Sequence, residues 1–204
     1  MPDLFSIVAS RPVTTGITLL NFTMSIAAML RQGLYHKWIL HPYSIVRKKE
    51  FLRLITSDFI HNDPIHLLIN SVMLFFICGE LEKFLDGRYA LGSLIFLGIY
   101  LSSHLTGAIM ATWSNRKDFE YSSAGASGSI LGCMMSFMIF APHFVAFYLP
   151  VAGKVENEFA ALLVIVGLLI YKWRSGNELL DNELHFFSAL GGVSFTLIFY
   201  LFLL

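Results

Sequence analysis

Of the 204 residues, 56% are hydrophobic and 14% charged, with 19 phenylalanines, a balance far from that of a soluble domain. Acidic and basic residues cancel, so the charge gives no ground for a nucleic-acid partner. The composition places the chain in a bilayer as an all-α membrane protein, because its apolar runs are continuous and do not alternate over the ~10-residue units of a transmembrane barrel.

Apolar segments fall at about 13–30, 64–79, 90–113, 127–149, 159–173 and 184–204. Most approach the ~20 residues that a helix needs to cross the hydrocarbon. Six helices use nearly the whole chain, which predicts a single domain over residues 1–204. The first segment is followed by others and lacks a small-residue cleavage pattern, so it reads as a span and not as a removable signal. Cys78 and Cys133 both fall in apolar segments, without the spacing or number of ligands that a disulfide or metal site needs, and read as core residues.

Six spans put both termini on one side with Arg11, Lys83, Arg88 and Lys154. The opposite side then carries Arg31, Lys37, Arg47, Lys48, Lys49, Arg53, Arg116, Lys117, Lys172 and Arg174, and a simple count of positive charge sends the termini outside. Much of that excess lies in the loop at 31–62, where Trp38, Tyr43 and Phe51 accompany the cations, a composition suited to an interfacial element.

The second helix is announced by Asp63 as a cap and Pro64 in the first turn. His66 and Asn70 follow four residues apart on one face, either as packing hydrogen bonds or as the lining of a polar site. His61 precedes His66 by five residues; a zinc site from Asp58, His61 and His66 is a further, poorly specified alternative.

Gly125-Ala126-Ser127-Gly128 opens the fourth helix, which Pro142 interrupts. From Ser127 to Ala141 the rise is roughly 22 Å, short of a ~30 Å core, so its first residue lies below the membrane surface. A serine there is surrounded by the open amides of a helix start, a setting for oxyanion charge, although Gly128 and Gly132 also fit simple small-residue packing. In the sixth helix Asp181 or Asn182 is a candidate cap, and His185 stands in the first turn as a base for Ser127 or as an interfacial histidine. No further buried carboxylate is evident to orient it, which favours a dyad.

Taken together, Arg53, His61, His66 with Asn70, Gly125-Ala126-Ser127-Gly128, and His185 followed by Gly192 resemble the rhomboid family of intramembrane serine proteases, from about Arg53 to Gly192. The resemblance implies a six-helix rhomboid-like bundle whose first loop, about 31–62, is partly membrane-embedded. It assigns Ser127 as nucleophile, His185 as general base and later acid, and His66, Asn70 and the Ser127 amide as oxyanion stabilisers. Gly125, Gly128, Arg53, His61, Leu131 and Gly192 would support that site.

It further implies a cytoplasmic N-terminus and a site open to the opposite face, against the charge count, in a multi-pass protein of the bacterial inner membrane. The fifth helix and its loop, up to about Glu183, would form the lateral gate and cap. Partners would be membrane lipids and single-pass transmembrane substrates with helix-breaking residues near the outer end of the span and a small residue before the cleaved bond. No metal or organic cofactor is called for. Three positions depart from the family pattern: Leu52 replaces an aromatic before Arg53, Leu131 a tyrosine, and Ser188 a glycine. The competing readings are a catalytically weak or inactive scaffold that binds transmembrane clients, and a small transporter using His66, Asn70 and His185 as a polar track.

Overall fold

The computed structural model describes residues 4–150, 153–160, 162–163, 166, 170 and 182–203. Among them four helices are long and apolar enough to cross a membrane: Pro12–Leu30, Pro64–Asp86, Gly92–Ser114 and Glu183–Phe202. A short helix α1 (Leu4–Ala9) precedes the first of these, α2 (Pro12–Leu30). Pro12 starts α2, and Glu82 supplies the cap that its own sequence lacks. The two carboxylate oxygens of this fully buried residue accept from Val13 N–H (2.9 Å) and Thr14 N–H (2.8 Å), and Ser93 Oγ donates to the first of them (2.8 Å). Amides at a helix start have no partner within the helix, and a carboxylate there is also favoured by the helix dipole.

The loop that follows α2 folds into α3 (Gln32–Trp38), α4 (Pro42–Lys48), α5 (Arg53–Thr56) and a 3₁₀ turn at Ser57–Phe59. Arg53 fastens it from within: Nη1 donates to the carbonyls of His36 (2.6 Å) and Ile39 (3.0 Å), and Nε pairs with Glu50 (2.6 Å). That ion pair holds the Glu50 carboxyl below its usual range. Leu52, 74% exposed, points away from this knot beside exposed Phe51 and Ile55.

The second span consists of α6 (Pro64–Met73), a π turn at Leu74–Cys78 and α7 (Gly79–Asp86). A π turn leaves carbonyls poorly paired, and Arg11 Nη1 donates to one of them, Phe75 O (3.0 Å), while Nη2 pairs with Glu80 (2.9 Å). Next come α8 (Gly92–Ser114), α9 (Ser127–Phe140) and the last described helix, α10 (Asn182–Leu203). α9 is buried nearly all round, from Gly128 through Phe137, which is the mark of a central helix. Its Ile130, Cys133 and Phe137 share one core with Leu74, Phe96, Ile99 and Tyr100. Many other large side chains point outward, among them Leu19, Leu30, Leu68, Phe76, Leu94, Phe186 and Leu201, as lipid-facing surfaces require.

The apolar run at 127–149 is not one span. α9 stops at Phe140 before Pro142, which cannot donate to a helix ladder, and Val145–Leu149 pairs antiparallel with Gly153–Glu156 in a two-stranded hairpin. Every other described element is helical. The fifth apolar segment, at about 159–173, and the proposed gate and cap up to Glu183 fall mostly outside the described residues. Asp181 lies outside them too.

Candidate active site

The entry to α9 is fixed by the first loop. Leu40 and Ser123 exchange backbone hydrogen bonds (2.9 and 3.1 Å), Gly125 N–H donates to Ser57 O (2.9 Å), and Ala126 N–H reaches His61 Nε2 (3.4 Å). Gly125 has φ +122°, a conformation that L side chains rarely adopt. A β-carbon there would also lie 2.8 Å from Cε1 of His66, so the imidazole rests directly on the glycine.

Ser127 is the first residue of α9, and its Oγ lies 2.8 Å from His185 Nε2. The approach of α10 that makes this possible is set five residues deeper. A β-carbon on Gly192 would fall 2.6 Å from Gly132 O, so the two backbones are nearly in van der Waals contact. Going back from that crossing, seven residues lead to His185 and five to Ser127, or about 10 and 8 Å of helix rise. Gly128 is matched to Ser188: a β-carbon on Gly128 would meet Ser188 Oγ at 2.6 Å, so this serine occupies space that the glycine leaves.

His66 and Asn70 are ordered by their own helix. Asp63 Oδ1 accepts from His66 N–H (2.8 Å), as expected for its cap, and Asn70 Nδ2 donates to His66 O (2.9 Å). Asn70 is buried, and the His61 and His66 rings meet edge to face at 5.0 Å. His61 has a definable tautomer. Ser25 Oγ donates to Phe59 O (3.1 Å), so it accepts from His61 Nδ1–H (3.0 Å), leaving Nε2 as the acceptor for Ala126 N–H. Burial, with His66 beside it, pushes the His61 pKa down to about 4 and keeps the ring neutral. Leu131 is buried in the core one turn below Ser127, and Arg53 lies away from the Ser127–His185 pair, bonded within the first loop.

The residues considered for zinc do not form one site. His61 uses both nitrogens, and Asp58 turns to other partners. Among the described residues one group of potential ligands does converge, His143 with Glu156 and Glu158, but it sits at the hairpin. There Glu156 is shared by His143 (2.9 Å) and Lys154 (2.7 Å).

Sequence reasoning missed the partners of Asp58. This fully buried carboxylate accepts from Tyr100 Oη (2.5 Å) and Ser129 Oγ (2.6 Å) and lies 3.1 Å from His104 Nδ1. Burial opposes its charge, but the His104 ring and the hydroxyl donors outweigh it, and the carboxyl stays below its usual range. The available signal was His104, an ionisable residue within an otherwise apolar span.

The chain shares sequence with known proteins. The family description "Rhomboid domain" matches residues 48–202. "Rhomboid protease GluP" of Bacillus subtilis (strain 168) is 28% identical over 149 residues, 73% of this chain and 26% of its own length. "RHOMBOID-like protein 1" of Arabidopsis thaliana is 29% identical over 125 residues, 61% of this chain and 28% of its own. The chain therefore spans about a quarter of the length of these two relatives. With the match covering most of its residues and Ser127 against His185, this chain belongs to the rhomboid family.

Proposed function

We propose that the chain is an intramembrane serine endopeptidase working through a Ser127–His185 dyad. The observation that carries this reading is the 2.8 Å contact between Ser127 Oγ and His185 Nε2 at the start of a short, central helix. In the acylation step Ser127 Oγ attacks a peptide carbonyl as His185 Nε2 takes its proton. The oxyanion is met by the Ser127 amide, which has no acceptor within α9, and by the side chains of His66 and Asn70. Collapse breaks the C–N bond, His185 passes the proton to the leaving amine, and water, deprotonated by the same imidazole, releases the acyl group.

A carbonyl bonded within a helix is shielded from attack, so the substrate must unwind locally. That favours single-pass membrane proteins with helix-breaking residues near the outer end of the span and a small residue before the cleaved bond. Gly125 and Gly128 serve by letting neighbours close in on the nucleophile, Gly192 by setting the approach of α10, His61 by receiving the Ala126 amide, Arg53 by bracing the first loop, and Leu131 by filling the floor. We place the protein in a bacterial inner membrane, in contact with its lipids. In this reading it has six spans, a first loop at about 31–62 partly embedded, and a site open to the extracytoplasmic side.

A fluorophosphonate probe applied to the purified protein tests the reading. Labelling that is confined to Ser127 and lost in Ser127→Ala is the expected result. An unlabelled but folded parent would leave the client-binding scaffold in its place.

A further inference from the structure

Among the described residues, hydrogen bonds at four positions, Ser123, Gly125, Ala126 and Ser129, join the first loop to the entry of α9, so they bracket Ser127 on both sides. Only the last involves a charged group, Asp58. The carboxylate takes Ser129 Oγ on Oδ1 (2.6 Å) and Tyr100 Oη on Oδ2 (2.5 Å), and His104 Nδ1 approaches Oδ1 at 3.1 Å. The other ring nitrogen, Nε2, lies 2.6 Å from Leu54 O. A backbone carbonyl can only accept, so Nε2 carries a proton, and the Nδ1 contact needs a second one between ring and carboxyl. Asp58 and His104 thus form a closed pair with no net charge.

A carboxyl and an imidazole buried at such a depth are costly unless each lone pair and proton is used, and here each of the four ring and carboxyl atoms has a partner. The arrangement joins three separate pieces of chain: the first loop through Leu54 and Asp58, α8 through Tyr100 and His104, and the first turn of α9 through Ser129. Ser127 and Ser129 are two residues apart in that turn, so any rotation of the turn that moved Ser127 Oγ away from His185 would also pull Ser129 Oγ off Asp58.

We propose that Asp58 is a positioning residue for the reaction, acting through Ser129 to hold the first turn of α9 at the rotation that presents Ser127 to His185. The catalytic consequence rests on the protease reading above. The mechanical one, that the turn is held, does not.

Two variants that each remove one hydroxyl from the same carboxylate test this: Ser129→Ala cuts the link to the nucleophile turn, whereas Tyr100→Phe leaves Asp58 bonded to both His104 and Ser129. In detergent-solubilised protein, Ser129→Ala should slow fluorophosphonate labelling of Ser127 by ~10-fold or more, because small misplacements of reacting groups cost that much. It should lower kcat on a transmembrane substrate by the same factor with KM unchanged. Tyr100→Phe should label within about twofold of the parent rate, although both variants lose one buried hydrogen bond and comparable thermal stability. Adding Asp58→Asn to Ser129→Ala should slow labelling no further, since the path is already cut.

Amide exchange over residues 123–131 reports the turn independently of chemistry, with protection lost in Ser129→Ala and kept in Tyr100→Phe. An unlabelled parent would overturn the protease reading alone, and exchange would then decide whether the turn is held. Labelling of Ser129→Ala at the parent rate with unchanged exchange overturns the proposal. So does equal slowing of both variants in step with their loss of stability.

Discussion

Gly132 and Gly192 bring α9 and α10 together backbone to backbone, since a single added carbon on Gly192 would stand 2.6 Å from Gly132 O. The contact lies apart from Ser127 and His185 and sets how closely the helices that carry them approach. Gly192→Ala must push the helices apart, an overpacking that costs ~1–3 kcal/mol. Thermal stability should fall, and probe labelling at Ser127 should slow by more than the stability loss accounts for, because His185 is carried on the displaced helix. Parent-like labelling in the folded variant would show that the dyad does not depend on this crossing.

In the proposed mechanism the oxyanion donors are separable from the dyad by kinetics. His185→Ala should abolish labelling, whereas Asn70→Ala should leave Ser127 as the modified residue and slow the reaction by about 10²–10³, the usual loss for one donor. Asn70 also bonds His66 O, so some of the effect will reach the imidazole through the helix. Undiminished turnover by Asn70→Ala would remove this residue from the mechanism.

A pH dependence follows from His61. Its folded pKa, about 4, lies below the ordinary value of ~6.5, so between these limits the unfolded chain binds the proton first. The stability that the neutral ring contributes is complete above pH ~6.5 and is lost as pH falls through about 4. Melting followed across this window should give a falling curve for the parent and a flatter one for His61→Gln. His66, Asp63 and Asp58, the ionisable neighbours of His61, remain in both proteins. Parallel curves would assign the pH response to those neighbours.

The local placement of the candidate site residues could be read from residue order because it depends on short spacings. Ser127 after two small residues, His66 and Asn70 one turn apart, and Asp63 before Pro64 are all relations within a few residues, and the structure keeps them. The Asp58 cluster joins residues 42 and 71 positions apart, and no periodicity reveals such pairs. The hairpin was hidden for a different reason. Val145–Leu149 is as apolar as the helix before it, and the turn residues Pro142, Pro150 and Gly153 are what mark the change. The charge count weighs every cation alike, whereas Arg11 and Arg53, one on each side of that count, are largely buried in ion pairs with Glu80 and Glu50; setting both aside leaves the excess on the first-loop side.

The two orientations, from charge and from the family resemblance, are separated by a labelling experiment. In a background without Cys78 and Cys133, both buried, single cysteines at Lys117 and Gly87 mark the two ends of α8. With the site open to the extracytoplasmic side, an impermeant maleimide should label intact cells at position 117 and not at 87. The opposite pattern would restore the reading from positive charge.

Ser188 gives the sharpest test of packing near the site. It stands where the family commonly has glycine, and the chain accommodates it with glycines on two neighbours: a β-carbon on Gly107 would lie 2.0 Å from Ser188 Oγ, and one on Gly128 2.6 Å. The hydroxyl is fully buried, and among the described residues Oγ has no hydrogen-bond partner. Two effects then oppose each other in any substitution. The side chain fills space between α8, α9 and α10, but its oxygen is unsatisfied where water cannot reach. Ser188→Ala keeps the carbon and removes the oxygen, so it should leave stability unchanged or raise it by up to ~1 kcal/mol. Ser188→Gly also empties the space and places glycine within a helix, which costs ~1 kcal/mol against alanine before any cavity is counted. The expected order of melting temperature is alanine at or above the parent, then glycine, with Ser127 labelling preserved in the alanine protein. A melting temperature for Ser188→Ala well below the parent would mean that the hydroxyl is bonded after all, and that its contact with the Gly128 turn is polar and not merely steric.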